Sequence, residues 1–437
     1  QMAGWENNKE IYVESVEEIL DTNPDLYKQR TIAALNEKRY NDALKEVNLA
    51  LQYGNGELQY KVLKARVLFE KQDYSGCMRY LRDSQLWDKK EDITLLNDEK
   101  NYIYYIYAVC YRECRYSLYQ VDMIIVTPDG KGMYDSVYKA ILESNGKKIY
   151  LTGGKYTESL SVRNQKVNLV GSKYVKSVWE KSMNIEGGIV SIEQVTFETY
   201  KEEKPALFIE KAVCNLSNLK FKKSYVKNGV GLGLQLCRSC NVQDIEIENY
   251  AMGLVVCEGN TSVQKITLVN NVIGIICADD TGKAKLTCRE CKFIGNEVGA
   301  VSGMNGDLFI EGSRFEKNHV GIKAIHNQPG MFNNAKGMAG KMLVKMCNIR
   351  GSKHVGVIVT EDCEIQILET EIIGGNIGIG VDGQGICNIK DSFITHNTYE
   401  SEIHGQGKIL KENVKLSDNN IVGSTIEGVK GFIKKYL

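Results

Sequence analysis

A short pattern, glycine followed by aliphatic residues, keeps returning between Gly233 and about Gly378. It reads Gly233-Leu-Gln-Leu, Gly253-Leu-Val-Val, Gly274-Ile-Ile-Cys, Gly299-Ala-Val-Ser, Gly321-Ile-Lys-Ala, Gly356-Val-Ile-Val and Gly378-Ile-Gly-Val, at intervals of 20, 21, 25, 22, 35 and 22 residues. A period near 22, with a short β-type run in each unit and turn residues between, is the signature of a solenoid in which each unit is one coil. Such a unit is too short for a strand–helix–strand crossover and too long for a hairpin. Three short strands and three turns per coil fit, which makes residues 121–437 a right-handed parallel β-helix.

Polar turns follow the repeat strands: Cys257-Glu-Gly-Asn260, Ala278-Asp-Asp280, Met304-Asn-Gly-Asp307, Ile325-His-Asn327, Thr360-Glu-Asp362 and Asp382-Gly-Gln-Gly385. Asn-bearing bends recur at Asn270-Asn271, Gly295-Asn296, Lys317-Asn318 and Gly375-Asn376. Asn tolerates left-handed dihedrals, and its amide can ladder from coil to coil. The 35-residue interval carries about 13 residues too many, and the excess falls in Asn327–Gly340. These residues are expected to leave the coil as a loop, and Met331 and Phe332 make it a candidate partner contact. Insertions in solenoids map to one face, often the binding face. The amphipathic stretch 419–437 is expected to cap the far end.

The first 120 residues are poor in glycine and rich in Leu, Tyr, Lys and Glu, and they read as a helical domain. Tyr40 and Tyr74 lie 34 residues apart. Each is followed at +3 by a small residue (Ala43, Cys77), at +7 by an aliphatic one (Val47, Leu81) and at +10 by another small one (Ala50, Ser84). This resembles the second half of the tetratricopeptide repeat, whose period is 34. Lys38 and Gln72 stand where the family's inner turn has glycine, and Asn101–Tyr116 reads as an irregular third unit. The resemblance implies a protein-binding surface lined by Lys28, Ile32, Asn36, Val62, Arg66 and Phe69. The alternative is a domain that only caps the solenoid.

A second resemblance begins at Val121. A strand and Gly-rich turn (Val121–Gly132) lead to a helix near 134–144 and then to Lys147–Val162, which contains Gly154-Lys-Tyr156-Thr-Glu158. This is similar to the opening of pectin-lyase-like β-helices, pectin methylesterases in particular. The helix is expected to plug the open end of the first coil, where a bare strand edge would otherwise be exposed. The resemblance makes Tyr156 and Glu158 structural.

β-Helix enzymes of this kind take carboxylates from neighbouring coils, which stack about 4.8 Å apart. Five residues after each repeat glycine stand Glu258, Asp279, Met304, His326, Glu361 and Gly383. Glu258, Asp279, Asp280, His326 and Glu361 are thus the candidate catalytic groups, since two close carboxylates can hydrolyse a glycosidic bond. The residue sets of methylesterases, polygalacturonases and pectate lyases are not reproduced. Cys237-Arg-Ser-Cys240 and Cys288-Arg-Glu-Cys291 resemble zinc half-sites. They fall on different sides of the coil, and Cys237 and Cys257 share the column four residues after the repeat glycine, which reads as a buried stack of small apolar side chains, so no metal and no cofactor are expected. The 13 cysteines, with no secretory signal evident, read as reduced thiols of a cytoplasmic protein.

The formal net charge is zero, from 55 basic and 55 acidic residues, so neither a nucleic-acid nor an anionic-membrane surface is indicated. The expected function is a non-catalytic scaffold or adaptor with protein partners. The architecture is similar to degenerate eukaryotic β-helix proteins of the Nessun Dorma/Shc-binding type. The alternative is a carbohydrate-active enzyme or glycan binder that uses the turn carboxylates.

Overall fold

Pro24 presets the first turn of helix α1 (Pro24–Asn36), and the Asn23 side chain caps it by accepting from the Asp25 N–H at 3.0 Å. Three more helices follow: α2 (Tyr40–Tyr53), α3 (Leu58–Glu70) and α4 (Tyr74–Asp83). Short turns bring each helix against the next, and small residues let them approach. Ala43, Ala50, Ala65 and Cys77 are fully buried at those contacts, with Val47, Val67 and Leu81 between them. Lys38 and Gln72 adopt left-handed backbone at φ 57° and 64°, the conformation that glycine would adopt without strain. The computed structural model describes residues 22–115, 122–199, 204–223, 228–280, 282–326 and 338–417. The chain divides into two compact units, Gln1–Glu99 and Lys100–Leu437.

The tyrosine-rich stretch read as a third helical pair is instead one helix, α5 (Asn97–Cys114), and from Lys100 it belongs with the solenoid. Four contacts fix it there. Asn101 Oδ1 accepts from the Gly153 N–H at 2.7 Å, and Tyr105 OH donates to Asp129 at 2.9 Å. Arg112 donates to the Gly130 carbonyl at 2.6 Å, and Tyr104 stacks on Tyr150 with ring centres 4.4 Å apart. Helix α6 (Val137–Ser144) buries Val137, Ala140 and Ile141 against the first coil, as the plug role requires. Glu158 accepts from the Val137 N–H at its start (2.8 Å), and buried Tyr156 donates to the carbonyls of Val126 and Thr152 (2.9 and 3.0 Å). Both residues are structural.

The remainder is a right-handed parallel β-helix of about 12 turns, built from an 11-stranded sheet and a bent 23-stranded sheet. Every pairing is parallel and one coil apart: Ile273 pairs with Val298, Val298 with Val320, Val320 with Val355, and Val355 with Ile377. The repeat glycines mark this register. A Cβ at Gly253, Gly274, Gly299, Gly321, Gly356 or Gly378 would collide with the carbonyl of the matching residue on the next coil. The register also corrects the start of the repeat. Val230 pairs with Met252, so the first member of the column is Gly231, against the Gly253 carbonyl, while Gly233 lies under the Phe208 ring. The first interval is therefore 22 residues, the same as Gly299–Gly321 and Gly356–Gly378.

Inside, Phe197 stacks on Phe221 and Phe293 on Phe315, with centres 4.7 and 4.2 Å apart. At one bend the expected asparagine ladder is present. Asn296 accepts from the Asn271 N–H (2.9 Å) and side-chain amide (3.1 Å), and Asn318 accepts from Asn296 in the same way (2.9 and 3.0 Å). All three are buried. The residue in this column at the later bend is Gly375, whose N–H donates to Asn397 at 2.9 Å. The cap expected at 419–437 lies outside the described residues, as do Met331 and Phe332.

Candidate functional site

The predicted catalytic residues gather on one row of turns, those that close the 11-stranded sheet. Glu258 and Asp279 are neighbours there, as the column requires, yet Asp279 is a buried turn-former. Its carboxylate accepts from the backbone N–H groups of Glu258 (3.0 Å) and Gly282 (2.8 Å), which fixes the turn. Asp280 is exposed beside it. Further along, His326 Nδ1 lies 2.8 Å from Asp362 Oδ1 and 3.8 Å from Glu361 Oε2. These three offer ligand atoms within 4.8 Å of one another. Asp362 was not among the sequence candidates, although its place beside Glu361 in the polar turn was visible. The row therefore splits into a structural carboxylate at one end and a His–carboxylate group at the other, with Met304 between their levels.

The cysteines do not form the anticipated pairs. Cys214 and Cys240, in register on adjacent coils with Cα atoms 4.7 Å apart, are joined by a disulfide, and Cys237 lies beside them. This corrects the all-reduced reading: one coil of 26 residues separates the two in sequence and brings them together in space. The other 11 cysteines are not disulfide-bonded. Cys237 pairs with Gly259, so it shares no column with Cys257. Cys288 and Cys291 are hydrogen-bonded to each other, and Cys291 accepts the bond while burial holds Cys288 protonated. Val263 bridges the register between Val242 and Cys288, which puts the second pair two coils away, about 10 Å. Burial pushes the thiols of Cys257, Cys347, Cys363 and Cys387 up to about 12, so none of these is a thiolate nucleophile at neutral pH.

The outer face of the 23-stranded sheet carries a shallow groove of about 410 Å3 over Asn260, Lys285, Asp307, Lys341 and Glu364. These residues form one register column in which charge alternates coil by coil. Neighbouring columns pair directly, Arg289 with Glu311 at 3.2 Å and Lys390 with Glu412 at 2.6 Å. Such a ladder neutralises itself and gives an acidic polymer no excess of positive charge to bind.

The helical unit offers a different kind of site. Lys28, Ile32 and Asn36 lie on one face of α1, and Val62, Arg66 and Phe69 on one face of α3. Lys28 Nζ donates to Gln59 Oε1 at 2.8 Å and ties the two helices together. Val62 is withdrawn into the core, Arg66 pairs with Glu70 at 2.6 Å, Phe69 packs edge-on against Tyr74, and Asn36 is exposed. The cavity itself, about 430 Å3, lies toward the start of these helices and is lined by Lys28, Glu57, Gln59, Thr94, Leu96 and Glu99. Two carboxylates order its far wall. Asp92 accepts from the Thr94 N–H and hydroxyl (2.9 and 2.7 Å), and Glu99 accepts from the Leu96 N–H (2.8 Å). The loop so pinned leaves Ile93 95% and Leu96 69% exposed. Sequence reading missed this wall, although Glu99, three residues after Leu96, was a legible capping signal.

Fold and sites together define a β-helix protein with a helical N-terminal unit. No protein-family model matches the chain, and no curated protein matches it. Among solved structures it is similar to the Geobacillus virus E2 protein ORF18, at 14% identity and TM-score 0.38, over 67% of this chain and 60% of that one. It is also similar to the Azotobacter vinelandii mannuronan C-5 epimerase AlgE4 A-module, at 10% identity and TM-score 0.33, over 66% and 93% of the two chains. A Streptomyces thermodiastaticus α-1,3-glucanase catalytic unit matches at 11% identity and TM-score 0.36, over 64% and 65%. Among the described residues no helix is long and apolar enough to cross a membrane.

Proposed function

We propose that this protein is a non-catalytic scaffold that holds a protein partner in the groove of its helical unit. The observation that carries the reading is the pinned loop: Leu96 lines the groove with Lys28 and Gln59, and Ile93 of the same loop is open to solvent. Large apolar side chains fixed outward at the rim of a polar cleft suit a peptide or helix that brings its own apolar anchor. The solenoid fits the same reading, because Asp279 is committed to its own turn and pairs such as Arg289–Glu311 join neighbouring coils.

Affinity capture with the full chain tests the proposal. A Lys28→Glu/Leu96→Asp variant should lose a partner that the wild type and a His326→Ala/Asp362→Asn variant both retain. Equal capture by all three would remove the groove from the account. The second reading, carbohydrate binding or hydrolysis, is favoured by the His326–Glu361–Asp362 group alone. Polysaccharide turnover that disappears in His326→Ala/Asp362→Asn would establish it over the scaffold.

A further inference from the structure

Three cysteines converge inside the solenoid. Cys214 stands on the strand Val213–Ser217, and Cys237 and Cys240 open the strand Cys237–Glu248 of the next coil. Their sulfur atoms all lie within 4.8 Å of one another, and all three side chains belong to the interior core. The arrangement depends on a bulge. In a regular strand, residues three apart point to opposite faces, so one of Cys237 and Cys240 would face out. Here Cys237 pairs with Gly259 and Cys240 with Thr261, so three steps on one strand answer two on its neighbour. The extra residue turns both sulfurs inward and leaves Arg238 and Ser239 exposed between them. The chain enters the bulge through Leu236, an aliphatic residue in left-handed backbone at φ 53°. Cys214 stands in register with Cys240, and Gly259, opposite Cys237 on the next coil, adds no side chain.

We propose that Cys214, Cys237 and Cys240 form a redox-gated site for a thiophilic divalent cation, with zinc as the model ion. Three thiolates and one open position make a zinc coordination set. Sulfurs bound to one ion at about 2.3 Å stand about 3.8 Å apart, which the spacing of this cluster admits. The disulfide between Cys214 and Cys240 is the closed state. Exchange with an external dithiol opens it: the bond between the two sulfurs breaks, the dithiol is oxidised to a cyclic disulfide, and its two protons end on Cys214 and Cys240. The cation then displaces the protons of all three thiols as three metal–sulfur bonds form, and the complex carries one negative charge. Oxidised, the cluster holds a disulfide and a thiol. Reduced, the same residues hold the ion. The site is independent of the partner groove and of the His326 group.

Metal titration of the full chain tests this. Reduced with a phosphine under argon and freed of the reductant, the wild type should develop a thiolate-to-cobalt charge-transfer band that saturates near one Co2+ per chain, and Zn2+ should bleach it. Zn2+ should also raise the melting temperature of the reduced chain by about 3 °C or more. The same chain reoxidised with glutathione disulfide should show neither effect, a comparison that needs no variant. Cys214→Ser and Cys237→Ser should each bind Co2+ at least about tenfold more weakly, while Cys288→Ser/Cys291→Ser, two coils away, should bind as the wild type does. Absence of the band in the reduced chain would overturn the assignment. So would a band of equal strength in the oxidised chain or in Cys237→Ser, or its loss in Cys288→Ser/Cys291→Ser.

Discussion

The two outer faces of this solenoid are built on the same coils and differ in almost every surface property. On the 23-stranded side, the outward column Lys285, Asp307, Lys341, Glu364 alternates in charge from coil to coil, and pairs such as Arg289–Glu311 close between coils. On the 11-stranded side, the corresponding columns are isoleucine and valine, and they are buried. The coil geometry is common to both, so the difference lies wholly in which residues the sequence puts at outward positions. A parallel β-helix stacks like side chains on like positions. A charge column therefore becomes a solvated, self-neutral ladder, and an apolar column becomes a strip that must be covered. One face is thus charged and open, and the other is apolar and buried.

The largest effect should come from the bend that supports both faces. Asn296→Ala removes the acceptor of two ladder bonds and the donor to the Leu268 carbonyl, and it leaves the buried Asn271 groups unsatisfied. The expected loss is about 3 kcal/mol, read as a lower urea midpoint. If the loss were small, the ladder would not be what holds the two faces in register.

The next effect separates the faces. Lys323 is the one charged residue in the apolar column between Val301 and Ile358. Burial lowers its ammonium to about 8. Between that value and the unfolded value near 10.5, the unfolded chain binds more protons, so stability rises with pH across this window. At pH 7 the ammonium is charged in the folded and the unfolded chain alike. Lys323→Met should therefore remove the rise in stability between pH 8 and 10.5 that the wild type shows. Denaturant titrations at pH 7 and pH 10 check both the sign and the window. The smallest effect belongs to the charged face: Arg289→Ala breaks an exposed pair and should cost less than about 0.5 kcal/mol.

Much of this was legible in the sequence, because a solenoid writes its geometry as a period. The repeat glycines, the asparagine bends and the plugging helix all follow from local chemistry. The misread first repeat shows the limit. Gly231 and Gly233 stand two apart with aliphatic neighbours on both sides, and only the coil above decides which meets a carbonyl and which meets the Phe208 ring. Helix α5 has the small and aromatic pattern of another helical pair, but Asn101, Tyr105 and Arg112 find partners 18 to 52 residues away. The Cys214–Cys240 bond and the His326–Asp362 contact likewise join neighbouring coils, the second across the long insertion. The groove wall at Ile93–Leu96 depends on how two carboxylates fold a loop, which periodicity does not encode.

The most direct test of the scaffold account is the affinity of a captured, purified partner for the full chain. Titration against wild type and Lys28→Glu/Leu96→Asp should show binding at least about tenfold weaker in the variant, a change of 1.4 kcal/mol or more, with an unchanged melting temperature. Equal affinity for the two proteins, with binding lost instead on His326→Ala/Asp362→Asn, would contradict it.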